Sequence, residues 1–169
     1  MDTKLTEALN DQLNNELHAA YTYLSMHAHF EAEHWPGFAH WMDLQSHEEV
    51  EHAMKFYNFI LERDEAITLQ AIDAPPAEFQ SPLDAFQKAL AHEQKVTQQI
   101  HEIYKIAEDV GDYPTQVFLH WFIEEQVEEE EITEDAVARL QRAGDDVGAL
   151  MVLDREFGER QGEEGEGDA

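Results

Sequence analysis

Glu16, Glu49, His52, Glu93, Gln126 and Glu129 carry side chains that coordinate metal, and they fall at positions where a helix facing a core would carry an apolar residue. Leu83, Phe86, Leu90, Glu93, Thr97, Ile100, Tyr104 and Ala107 advance by alternating steps of three and four, the period of one helix face. Glu93 interrupts that face. Phe38, Met42, Gln45, Glu49, His52, Phe56 and Phe59 form a second stripe, in which Glu49 and His52 stand one turn apart as an E-x-x-H pair pointing the same way. A third stripe runs Leu5, Leu9, Gln12, Glu16, Ala20, Tyr23, Met26 and Phe30, and a fourth runs Leu119, Phe122, Gln126, Glu129, Thr133, Ala136 and Leu140. Any one of these glutamates taken alone would be read as a solvated side chain. Their common depth changes the reading: from helix starts near Lys4, Phe38, Pro82 and Pro114, each lies roughly 17 to 22 Å along its axis at ~1.5 Å per residue. They would meet at one level whichever way the helices run.

Four ionised carboxylates in one core would repel one another and lose their hydration, so cations must balance them. Glu16, Glu49, Glu93 and Glu129 supply the charge of two divalent ions, and His52 and Gln126 add neutral ligands. Oxygen-rich ligation with one imidazole and no thiolate favours iron or manganese over structural zinc. The other nine histidines, His92 among them, receive no role from spacing. Tyr23 shares a face with Glu16 and is a core aromatic whose hydroxyl needs a partner, for which a site carboxylate would serve.

The elements that must position these groups are set by the chain's breakers. Trp35, Pro36 and Gly37 separate the first two helices, and Gly111 to Pro114 separate the third from the fourth, giving two antiparallel hairpins. Between them, Ala66 to Ser81 contains Pro75 and Pro76 and ends in the Ser81-Pro82 start signal. Extended, such a segment reaches ~50 Å, enough to run along a helix of ~42 Å. The expected fold is therefore all-α, a four-helix bundle in up, down, down, up order with one long crossover. A short fifth helix, Asp145 to about Glu159, is surplus to that core and must pack on the bundle end or on neighbouring subunits.

At 169 residues and 43 % apolar content the chain suits one domain, expected over residues 1–160, followed by an acidic unstructured tail over 161–169. With 38 acidic residues against 10 Lys plus Arg, the formal charge is −28, which repels nucleic acid and anionic membranes. No stretch is apolar enough to span a bilayer, and the polar, periodic start does not read as a signal peptide, so a cytoplasmic location is expected. The lack of cysteine excludes disulfides, iron-sulfur clusters and thiolate sites. So acidic a folded domain suits a salty, halophilic cytoplasm, where screening tolerates self-repulsion.

NNELHAAYTYL around Glu16, SHEEVEHAM around Glu49, AHEQKVTQQI around Glu93 and DYPTQVFLHWFIEEQVEEE leading into Gln126 together resemble the non-haem bacterial and archaeal ferritins, along nearly the whole chain from Leu5 to Phe157. The resemblance implies a ferritin-like fold, with Glu16, Glu49, His52, Glu93, Gln126 and Glu129 as a di-iron ferroxidase centre. Glu49 would bridge the irons and Glu93 would bind the second, with Tyr23 and Trp121 beside them. It further implies that Glu48, Glu125 and Glu128, with Glu129 shared, hold an adjacent third iron. Val50 stands where haem-binding relatives have methionine, so no haem is expected. The implied function is oxidation of ferrous ions by dioxygen and storage of the ferric product in a homo-oligomeric cage of twenty-four subunits. The alternatives are a carboxylate-bridged di-metal oxidase or peroxidase without storage, and a helical interaction module with structural acids.

Overall fold

The computed structural model describes residues 1–162; beyond 162, the tail expected over 161–169 lies outside the described residues. Five helices follow in order, α1 Thr3–Ala32, α2 Pro36–Glu62, α3 Pro82–Asp109, α4 Tyr113–Ala143 and α5 Val147–Phe157. There is no strand among the described residues, and no helix among them is long and apolar enough to cross a membrane.

Most helix starts follow from local chemistry. The Asp2 carboxylate accepts from the Lys4 and Leu5 amides, Ser81 accepts from Asp84 ahead of Pro82, and Asp112 accepts from Thr115, each satisfying amides that a helix leaves unpaired. Asp112 also takes a forked pair of bonds from Arg63 at 2.8 and 2.9 Å, tying the end of α2 to the start of α4. α2 is the exception, because the residue before it, Trp35, contributes no side-chain cap. Its cap comes from α5: Asp154 Oδ1 accepts from the Gly37 and Phe38 amides, both at 2.9 Å. A Cβ at Gly37 would lie 1.5 Å from the Asp154 carbonyl oxygen, so only glycine permits this approach.

The two packing options left open for the fifth helix are thereby divided. Phe157 is buried against Phe38 and Phe86 at the bundle end, while Val147, Met151 and Val152 remain exposed on the outer face.

The crossover, residues 63–81, runs along α1 as its length allows. Asn10 and Asn14 near the start of α1 bind the backbone of Ala66, Thr68 and Gln70, and Ser25, further along, donates to the Pro76 carbonyl. The chain thus returns to the far end of α1 before α3 begins, so α2 and α3 run the same way and the order is up, down, down, up.

Two separate apolar clusters fill the interior. One joins Tyr23, Met26 and Phe30 to Phe38, Met42, Phe86, Leu140 and Phe157. The other joins Leu5, Leu9 and Leu13 to Phe56, Ile60, Ile100, Leu119 and Phe122. Between them, across all four long helices, lies a band of buried polar residues.

Candidate metal centre

The band contains Glu16 from α1, Glu49 and His52 from α2, Glu93 from α3, and Gln126 and Glu129 from α4, none more than 5 % exposed. Each helix delivers its residue there because its apolar face is continuous on both sides of the polar position. Ligand atoms of Glu16, Glu49 and His52 lie within 4.8 Å of one another, and so do those of Glu49, His92 and Glu93. Glu49 belongs to both groups, the placement a bridging carboxylate requires.

Hydrogen bonds hold most of the carboxylates in place. Gln12 donates to Glu16 Oε1 and Gln45 donates to Glu129 Oε2, each at 2.9 Å. The Tyr23 hydroxyl donates to Glu93 Oε1. The Gln126 amide nitrogen donates to the Glu93 carbonyl at 3.2 Å and lies 3.4 Å from its Oε2. Glu16 Oε2, Glu49 Oε2 and His92 Nε2 are buried without any such partner, and Glu49 Oε2 stands 3.5 Å from His52 Nδ1, an ion-pair distance only. Buried lone pairs left unmatched are costly, and a divalent cation is what this oxygen-rich, thiolate-free set would accept.

The titration behaviour of the apo cluster follows from its burial. Desolvation pushes Glu16 well above the ordinary carboxylate range, and the Glu49 charge adds to it. Glu49 is raised by burial and then by Glu93. Glu93 is pushed up to about 8 by burial and the charge of Glu129, and Glu129 to about 8 by burial, Glu49 and Glu48. Burial alone would lower His52, but Glu125, Glu49 and Glu16 around it outweigh that and hold it well above the usual imidazole value. Burial and then Glu93 raise Tyr23, so its hydroxyl keeps its proton and remains a donor. Without metal, protons neutralise this cluster.

All six residues expected at the centre are thus brought together, and Tyr23 reaches the predicted kind of partner. The expected third set is only partly assembled. Glu125 is buried 3.8 Å from His52 Nε2, Glu48 faces Arg160, and Glu128 is exposed. Trp121 packs edge-on against His52 with ring centroids 5.4 Å apart.

Sequence reasoning missed His92. It sits one residue before Glu93, off the strict three-four stripe, and its approach to Glu49 depends on how α3 is rotated. Burial, followed by Lys95 and His18, lowers it to about 4, so its imidazole is neutral and available as a ligand. Gln12 and Gln45 were visible as polar members of their stripes, but nothing in their spacing marked them as partners of Glu16 and Glu129.

Known proteins resemble the chain along nearly its whole length. The ferritin-like domain family matches residues 6–143. The chain is 41 % identical over 160 residues to the bacterial non-heme ferritin of Staphylococcus aureus, covering 95 % of this chain and 96 % of that one. Its fold is similar to an open pore ferritin from the hyperthermophilic archaeon Archaeoglobus fulgidus, with a TM-score of 0.94, 43 % identity, and coverage of 95 % of this chain and 99 % of that one. An engineered closed form of the same archaeal protein gives a TM-score of 0.93 at 43 % identity, covering 95 % of this chain and 98 % of that one.

Proposed function

The chain belongs to the ferritin family, and from that premise we propose that it oxidises ferrous ions with dioxygen at a paired metal site within each subunit and stores the ferric product in an oligomeric cage. The observation that carries this reading is the meeting of four buried carboxylates from four helices, two of them with an orphaned oxygen, around the shared residue Glu49.

Glu16, Glu49 and His52 would take one ferrous ion, and Glu49 and Glu93, with His92, Gln126 and Glu129 alongside, the second. Two ferrous substrates held side by side each give one electron to O2, which with two protons leaves as hydrogen peroxide. The residues' own work is to hold the substrates and manage charge. Protons resting on Glu93, Glu129 and His52 leave as the ions enter, because ligands bind in their deprotonated forms. Tyr23 keeps its proton and fixes Glu93 Oε1. Once both ions are ferric, four carboxylates leave two of their six positive charges unmatched, and accompanying water gives up protons to supply the hydroxide and oxide that make up the difference.

The cage is proposed to contain twenty-four subunits, with the exposed Val147, Met151 and Val152 of α5 supporting contact with other copies. Supplying ferrous ion and air, then measuring particle size and bound iron, tests the reading. Hundreds of irons per particle are expected, with Glu49→Ala and Glu93→Ala showing a steep loss of oxidation rate and an intact helical spectrum. A small oligomer that retains two irons per chain and consumes peroxide would instead identify a di-metal oxidase or peroxidase.

A further inference from the structure

A cation reaches this centre from outside the four-helix core. Arg160 follows α5 and lays its guanidinium against α2, where Nη1 donates to Gln45 Oε1 at 2.5 Å and Nη2 to Glu48 Oε2 at 3.1 Å. The guanidinium lies 4.8 Å from the centroid of the Trp41 ring, and the Arg160 carbonyl oxygen is 2.9 Å from His40 Nε2. These contacts anchor both ends of the residue, and its side chain is only 18 % exposed. A guanidinium held this way is a built contact rather than a surface charge.

Its consequences run into the metal centre by two routes. Gln45 offers an oxygen on one side of its amide and an NH2 group on the other. With Arg160 on the oxygen, only the NH2 can face the band, where it donates to Glu129 Oε2 at 2.9 Å. Glu48, meanwhile, is one of the charges acting on Glu129, and Arg160 offsets it. The same carboxylate belongs to the adjacent set considered for a third metal.

We propose that Arg160 is a positioning residue for the paired metal site and a built-in competitor at Glu48: through Gln45 it orients Glu129, and it keeps the neighbouring metal position closed until an incoming cation displaces it. The inference rests on the iron-handling function proposed above. Arg160 touches neither substrate nor dioxygen; it acts through Gln45 and Glu48. Because the guanidinium and a metal ion cannot both claim the same lone pairs, binding of one must weaken binding of the other.

Titration of the metal-free protein with Co2+, which reports its coordination by visible absorption and is not oxidised by the site, separates the two layers. Two tight equivalents in the native protein, lost in Glu49→Ala, establish the paired site; if they are absent, the functional reading fails before Arg160 is in question. Given those two, Arg160→Gln should strengthen a third equivalent by roughly tenfold, the scale of a coupling free energy between competing cations. It should also change the absorption of the pair, as Glu129 loses its fixed partner. Arg160→Lys should restore the weaker third affinity by keeping the charge, and adding Glu48→Gln to Arg160→Gln should abolish the third equivalent. A merely structural arginine would alter the melting temperature and leave both readouts unmoved. Native-like stoichiometry and absorption in Arg160→Gln, or a third equivalent that persists without Glu48, would overturn the proposal.

Discussion

Stripped of metal, this protein should lose stability as the pH rises from 6.5 to 9, and regain it when a divalent ion is supplied. Glu93 and Glu129 sit at about 8 in the folded chain against an ordinary value of 4.5, chiefly because burial penalises their charged forms. Between those values the native state holds a proton that the unfolded chain has released, so stability falls with pH by ~1.4 kcal/mol per unit per group. Over the window from 6.5 to 9 this amounts to ~2 kcal/mol for one carboxyl, with ~4 kcal/mol as the ceiling for both because they repel each other. His52, also raised, acts in the same sense: its contribution is full below its ordinary value of 6.5 and is lost as the pH climbs through its folded value. His92, lowered to about 4, has the opposite sign, but its slope fades within about one unit above its ordinary value of 6.5, where it becomes neutral in both states. Asp112, near 2, has finished titrating far below the window.

Calorimetry of chelator-treated protein at constant salt would show the effect as a melting temperature falling by roughly 4 to 16 °C, at ~2–4 °C per kcal/mol for a domain of this size. Zn2+, which binds without redox chemistry, should reverse the slope, because deprotonated ligands are then what the folded state needs. Glu93→Gln combined with Glu129→Gln should lessen the metal-free slope by removing two of the protons concerned, leaving those of Glu16, Glu49 and His52. A metal-free melting temperature that is level or rises across the window would refute the reasoning, since no desolvated carboxyl cluster could then be titrating there.

Other consequences concern the frame around the site. Asp154→Ala removes the cap of α2 and should cost ~1–2 kcal/mol or somewhat more, measured by denaturant unfolding, with Co2+ stoichiometry unchanged. Gly37→Ala should undock α5, because the new Cβ meets backbone rather than a movable side chain; faster amide exchange in residues 147–157 would report it. Phe56→Ala opens the lower cluster beneath His52, where Phe122 packs at 4.3 Å between centroids, and should cost ~3–5 kcal/mol in unfolding experiments. A formal charge of −28 leads us to expect a melting temperature that climbs steeply with salt; salt-independent melting would remove the argument for a saline habitat.

The fold was legible because each long helix repeats one physical signal. Apolar residues at steps of three and four mark the faces, Ser81-Pro82 and Asp112 mark starts, and the length of the crossover decides the helix order. The buried band that forms the candidate site was legible for the same reason, since Glu16, Glu49, Glu93 and Glu129 break those faces at one depth. What escaped was anything set by rotation or by distant docking. His92 lies one step off its stripe, and its approach to Glu49 requires knowing the roll of α3. Asp154 caps a helix 117 positions away, and Arg160 reaches Gln45 across 115, distances over which local patterns carry no information.

The polar band also explains how the bundle is divided. A continuous apolar core would be more stable than two clusters separated by four buried carboxyls, because each carboxyl forfeits hydration without gaining a full set of partners. The band therefore has to be held by the clusters on either side, which keep Glu16 and Glu49 from turning outward to water. Those same clusters keep water from relieving the orphaned oxygens. On the proposed function, a divalent ion entering the band would recover the unfavourable energy stored there, so affinity for ions and instability without them would have one origin. Replacing Glu16 and Glu49 together by leucine and glutamine should raise the metal-free melting temperature while removing metal uptake. A double variant that lost both would show instead that the carboxyls support the fold in their own right.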